Sequence, residues 1–463
     1  MTSLSTLLGV IALIAVTFAC TRPEVTATTE PLAPPDSFAP STTVTTQART
    51  TTTVDVERAS SYRVDPLTLE PLEGFEPIPM GDWFWGTTSE NGSWIALSVG
   101  HDNRDLVELR LIDIDNWEVA TTWTPSIDTP LHVTDDGTIY LINDPSPSFH
   151  LSRLVPGEIR PEVIADLPSS LYWYQLHIHD GLALIFGLDT PNRDDRGEAV
   201  VVTVDLSTGL VTEIPLPGVE VGIIAELDLG EMEPARLFAD PAVVWDDDRS
   251  RVLIVHANQD VVTEVNPTTF EVTEHRFGNE GSIPTADGPF SIGRRIAVLG
   301  RDGRSLYVAT AVQTFEAIDE GWTETLISTG IKAIDTETWE VVDRLDAPIS
   351  EVYLSSAGDR LLATGQSYNY GPSTDESGSS GLYVIDPLGL ELIAHHGPDQ
   401  PNRFYGAFSF SKDSQIGYVT SWGQQTAIDV VDLETGDIIH TRSDPEIQIF
   451  GEVGILGEVR QFP

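Results

Sequence analysis

The sequence predicts an all-β fold: a β-propeller of four-stranded antiparallel blades, eight (or seven) in number, closed by its N- and C-terminal strands. Three observations carry that expectation. A hairpin centred on an acidic or amide residue recurs at intervals of about 42 to about 69 residues, the range of propeller blades with loop insertions. A tighter turn opens another strand ahead of each copy but the first, so that four strands fit each unit. No apolar helical period of useful length interrupts the series.

The chain begins differently. Residues 7–19 are an apolar run, too short for a good membrane-spanning helix, and Cys20, the single cysteine, follows at once. This arrangement resembles a bacterial lipoprotein signal, which implies removal of residues 1–19 and lipidation of Cys20; the alternatives are an ordinary secretory signal cut near Ala19 or an uncleaved anchor. With one cysteine, no disulfide forms within the chain. Residues 20–60 turn to Thr, Pro, Ala and Ser, as in Thr42-Thr43-Val44-Thr45-Thr46. Too few large apolar side chains are present to offset the entropy of ordering, so this stretch reads as a disordered tether, and residues 61–463 as the propeller domain.

The repeat is clearest through the residue that opens its hairpin turn: Asp65, Asp113, Asp205, Asn266, Asp335, Asp386 and Asp432, with a weaker copy around Val155. Asp and Asn bond their own backbone two or three residues on, which reverses the chain, while the flanking Val, Ile, Leu and Thr suit pleated strands. Ahead of these copies, Asn91-Gly92, Asp136-Gly137, Asp180-Gly181, Asp248-Arg249-Ser250, Asp302-Gly303, Gly358-Asp359 and Asp413-Ser414 turn into apolar runs such as 251–256 and 305–310. Seven complete units fit between about residues 81 and 442, with an extra hairpin at 64–72 and terminal strands at 446–450 and 455–462. Shared in one blade, the two ends make eight; added to existing sheets, they leave seven.

Within this frame, Leu306-Tyr307-Val308-Ala309-Thr310 and Gly417-Tyr418-Val419-Thr420-Ser421 resemble the signature of YVTN-type bacterial β-propellers, related to WD40-like and quinoprotein-like propellers. The resemblance covers roughly residues 61–463. It implies fold, and leaves binding, scaffolding and enzymatic roles open.

Function is expected on one rim. The turns between first and second and between third and fourth strands are uniformly tight, whereas the other connections hold every long insertion: 100–106, 187–198, 217–240, 278–291, 311–329 and 366–381. Elaborated loops on a rigid frame are where sites form. Candidate binding residues are Asp189, Asp194, Asp195, Trp322, Tyr368, Tyr370 and Trp422, because carboxylates beside aromatic faces suit cations or sugars. No cofactor is expected. Ca²⁺ is the one ion considered, although Asp189–Glu198 lacks the alternating spacing of a Ca²⁺ loop. His177 and His179 alternate on a strand but make no zinc site by themselves.

The formal charge of −47, from 72 acidic against 25 basic residues, disfavours nucleic acid and anionic lipid as partners. No nucleophile elbow, P-loop or dinucleotide fingerprint is present. The reading is therefore a monomeric, extracytoplasmic propeller, lipid-anchored or secreted, that binds a protein or carbohydrate. The alternative is a lyase or hydrolase using carboxylates at the channel mouth.

Overall fold

In this computed structural model the described residues are 60–79, 83–100, 107–124, 130–143, 149–190, 197–227, 235–278, 290–318, 321–371, 374–397, 404–422, 426–443, 447–450 and 453–456. Residues 1–19, expected as a signal, Cys20 and nearly all of the expected 20–60 tether lie outside them, as do Asp194 and Asp195. Apart from two three-residue 3-10 turns, Asp247–Arg249 and Leu388–Leu390, every regular element described is a strand.

The chain opens with β1 (Ser60–Arg63) and β2 (Ile78–Pro79). Four consecutive strands then form each of three blades: β3 (Trp83–Thr88), β4 (Trp94–Gly100), β5 (Val107–Asp113) and β6 (Glu118–Trp123); β7 (Pro130–Val133), β8 (Ile139–Asn143), β9 (His150–Leu154) and β10 (Glu162–Asp166); β11 (Leu171–His179), β12 (Leu182–Asp189), β13 (Ala199–Asp205) and β14 (Val211–Leu216). A two-stranded hairpin follows, β15 (Gly222–Leu227) with β16 (Ala235–Ala239), then a blade of β17 (Ala242–Asp246), β18 (Arg251–Val255), β19 (Val261–Val265) and β20 (Val272–Arg276). Next come β21 (Phe290–Leu299), β22 (Ser305–Ile318), β23 (Gly321–Asp335), β24 (Val341–Leu345), β25 (Glu351–Leu354), β26 (Leu361–Gly371), β27 (Thr374–Asp386) and β28 (Glu391–His396). The last blade is β29 (Phe404–Phe410), β30 (Ile416–Trp422), β31 (Ala427–Asp432) and β32 (Ile438–Arg442), before β33 (Ile447–Phe450) and β34 (Val453–Leu456).

The expected count of eight, or seven, four-stranded blades is corrected. Five separate blades of four consecutive antiparallel strands are found among the described residues. The difference has a physical source in the region from β21 to β28, where strands longer than a blade pair with one another. Glu324, Thr325 and Leu326 of β23 stand opposite Tyr370, Asn369 and Tyr368 of β26, and this contact joins two units of the repeat into one eight-stranded sheet. The chain's ends share a further sheet, ordered β2-β1-β34-β33, in which Ser60 to Arg63 run antiparallel to Leu456 to Val453. That pairing covers strand edges that would otherwise stay open.

Apolar layers between successive sheets hold the propeller together. Leu109 and Leu111 meet Ile139 and Leu141; Ile142 and Leu151 meet Ile185 and Val202; Phe186 and Val201 meet Val252 and Ile254. The series continues through Leu253 with Leu306 and Val308, Ile331 with Leu361 and Ala363, and Val384 with Val419 and Val431. It returns to the start through Tyr418 with Val64 and Leu69, and Ile78 with Ile95 and Ile112. The tyrosines of the YVTN-like pentads are part of this packing: Tyr307 and Tyr418 are 5% and 1% exposed, so they serve the core and not a surface.

Candidate functional site

The insertions 311–329 and 366–381 are not loops. They are the overrun of β22, β23, β26 and β27, two long hairpins rising from the blades. Glycine marks the exit of each third strand: Gly330 (φ 110°) in β23 and Gly381 (φ 98°) in β27 stand at matching points, in a backbone region that disfavours side chains. A Cβ there would come within 2.3 Å of the Leu345 carbonyl oxygen or 2.2 Å of that of His396, so only glycine lets the strand leave its blade so close to the fourth strand.

The pairing of β23 with β26 brings three of the expected site residues into one neighbourhood. Tyr368 and Tyr370 stack, with ring centroids 4.9 Å apart and planes 27° apart. Trp322 lies on β23 opposite Ala317, two positions from Glu324. The Tyr368 hydroxyl donates to Glu324 Oε1, which also accepts from Gln313 Nε2, and Gln313 Nε2 lies 3.1 Å from the Tyr368 oxygen. Burial first, and the Glu324 carboxylate next, push the Tyr368 hydroxyl well above its ordinary range, which keeps it a donor. On the same face Leu326, opposite Tyr368, and Phe315, opposite Glu324, are buried, and Phe315 packs with Ala239, Ala257 and Ile292.

The remaining candidates stand elsewhere. Asp189 ends β12, exposed, its backbone N–H donating to the Glu198 carbonyl at 2.8 Å. Trp422 ends β30 opposite Phe404 in the last blade. Neither belongs to the tyrosine sheet.

Two further groups stand outside the expected binding residues, although the sequence shows the alternation of His177 and His179. Beside the platform, Glu351 opens β25, and the Tyr353 hydroxyl lies 3.5 Å from its Oε2. Burial raises the Glu351 carboxyl above its ordinary value, while Arg294 of β21 acts in the opposite direction. Tyr353 in turn packs on Phe408, 4.5 Å between centroids. The second group is a histidine cluster spanning three blades at the ends of their first strands. His177 Nε2 lies 2.8 Å from Asp247 Oδ1, and His179 Nδ1 lies 3.5 Å from Asp247 Oδ2. His177 stacks on Trp245 at 5.1 Å and meets His132 edge-on at 5.5 Å. Burial, then the charge of His177, lowers His132 from 6.5 to about 4. His179 Nε2 is 3.1 Å from Asp180 Oδ2 yet makes no hydrogen bond, since the angles do not allow one. Among the described residues no group of three or more His, Cys, Asp or Glu side chains is arranged to hold a metal ion. The one signal for this cluster was positional: His132, His177 and Trp245 all come just before the first turn of their unit.

No protein-family model matches the sequence, and no curated protein does. Solved structures resemble it in part. One is a dihydro-heme d1 dehydrogenase in complex with DHE, 16% identical, TM-score 0.42, over 84% of this chain and 73% of that one. Another is an oligogalacturonate lyase in complex with manganese, 14% identical, TM-score 0.42, over 74% and 86%. A third is the β-propeller domain of Myceliophteria thermophila Cps50 (Swd1), 14% identical, TM-score 0.38, over 82% and 99%. They include a dehydrogenase, a lyase and a β-propeller domain, and at this similarity none bears on what the present chain binds.

Proposed function

We infer that this chain is a binding propeller, displayed outside the cytoplasm through Cys20 and the 20–60 tether, that holds a saccharide on the sheet built by β22, β23, β26 and β27. The observation that supports this most is the β23–β26 pairing, which sets the Tyr368–Tyr370 stack beside Glu324 and Gln313 on a rigid support. Tyrosine faces take the apolar face of a sugar ring, and a neighbouring carboxylate and amide take its hydroxyls. The YVTN-like strands and the one-sided elaboration agree with a surface-displayed bacterial propeller. For the lyase or hydrolase alternative the candidate carboxylate is Glu351, with the Tyr353 hydroxyl 3.5 Å from its Oε2 and Arg294 acting on it.

The test is binding of the full chain to an oligosaccharide array, compared with a Tyr368→Ala, Tyr370→Ala double variant whose folding is checked by thermal unfolding. The double variant is expected to bind at least about tenfold more weakly, the worth of two aromatic contacts. Equal binding by the two proteins would discard the platform. A blank array together with a captured protein lost in the same variant would move the ligand from saccharide to protein.

A further inference from the structure

Among the cationic side chains around the platform, most are already neutralised. Arg295 Nη2 lies 2.7 Å from Asp260 Oδ1 and Lys332 Nζ lies 3.1 Å from Asp260 Oδ2, and Asp260 is almost fully buried between them. Arg294 differs. Adjacent residues of a strand point to opposite faces, so Arg294 is turned away from the side on which Arg295 meets Asp260. It enters no ion pair or hydrogen bond among the described residues, and the groups its charge reaches are the Glu351 carboxyl and the Tyr368 hydroxyl.

Arg294 lies two residues from Ile292, which stands opposite Gln313, so it is on the platform's face of the sheet. Arg294 stands opposite Ala311, at the point where β22 begins its overrun. Its strand, β21, and β25, which Glu351 opens, are the first strands of successive repeat units, and first strands line the axis of a propeller. In a chain with 72 acidic residues, a half-buried guanidinium that makes no ion pair among the described residues is a conspicuous departure. A half-buried guanidinium costs free energy to desolvate unless something pairs with it.

On the reading of the platform as a saccharide site, we propose that Arg294 anchors a carboxylate carried by the bound sugar. The guanidinium fork matches the two oxygens of a carboxylate in a bidentate pair. Elsewhere the acidic surface repels anions, so the arrangement would admit a ligand with an isolated carboxylate and reject a polyanion.

The experiment uses the full chain on an array carrying uronic-acid, sulfated and neutral oligosaccharides. Hits are then measured in solution before and after reduction of their carboxyl groups to alcohols, against wild type, Arg294→Gln and Arg294→Lys. The expected result is that carboxylate-bearing sugars bind, that reduction weakens them at least about tenfold, and that Arg294→Gln weakens the acidic form to the level of the reduced one. Arg294→Lys should keep part of the preference, which separates charge from packing. Equal affinity for acidic and reduced forms, with binding still lost in the tyrosine double variant, overturns the carboxylate and leaves the platform standing. Hits confined to sulfated sugars overturn it too, and a blank array overturns the saccharide reading together with it.

Discussion

At the scale of single residues, the repeat written in the sequence is an aspartate turn. Asp432 Oδ1 accepts the N–H groups of Glu434 and Thr435, both at 2.9 Å, and Asp65, Asp205, Asn266 and Asp335 each accept the same two positions. That much was legible because the side chain itself makes the turn. The next feature was not. The fourth residue after the aspartate adopts positive φ in every one of these copies, and glycine fills it only at Gly209 and Gly436. Leu69, Phe270 and Trp339 accept that strain of roughly 1 kcal/mol; Leu69, fully buried, more than recovers it against Val64 and Tyr418. Residue chemistry also fixes a pH response. His132 falls to about 4 from 6.5, so in the window between those values the unfolded chain takes up a proton that the folded one refuses. Stability is therefore lost as pH falls from about 6.5 to about 4, by on the order of 2 kcal/mol. His132→Gln should remove that part of the acid loss while leaving stability at pH 7.5 within about 1 kcal/mol. Denaturant unfolding of both proteins across this range checks it, and parallel pH curves would refute the assignment.

At the scale of elements, strand length explains what sequence reading missed. Turns and apolar alternation showed where each strand starts, but 311–329 and 366–381 are rich in Thr, Ser, Gly and acidic residues and read as solvated loops. They extend as strands because each pairs with its own hairpin partner and β23 also pairs with β26, a long-range contact that no local pattern announces. Side-chain chemistry alone therefore points equally to Tyr368, Tyr370 and Trp322, which lie on one sheet, and to Asp189 and Trp422, which lie on other blades. Gly330 is the hinge of this arrangement. Gly330→Ala should cost on the order of 3 kcal/mol, since the new methyl meets the Leu345 carbonyl at 2.3 Å under a φ that L-residues avoid. Thermal unfolding reads the loss. A change below about 0.5 kcal/mol would mean that β23 and β24 can part without consequence.

At the scale of the whole molecule, closure and charge act against each other. The β1–β34 pairing and the continuous apolar layers resist opening of the propeller, while a net charge of −47 pushes its parts away from one another. Attractive contacts between turns offset little of this: Lys412 Nζ reaches Asp115 Oδ1 at 3.3 Å and Ser93 Oγ at 3.0 Å, but that ion pair is exposed and worth at most about 1 kcal/mol. Screening should then matter more for repulsion than for attraction. Raising the ionic strength from about 0.01 M to 1 M shortens the Debye length from about 30 Å to about 3 Å, so carboxylates on neighbouring blades stop sensing one another. The expected outcome is a melting temperature that rises by several degrees with NaCl over that interval, most steeply at the low end where screening changes fastest. Sucrose of equal osmolality supplies exclusion without screening and should raise it less. A melting temperature that stays flat or falls with salt would show that ion pairs, and not unbalanced carboxylates, dominate the electrostatics of this propeller.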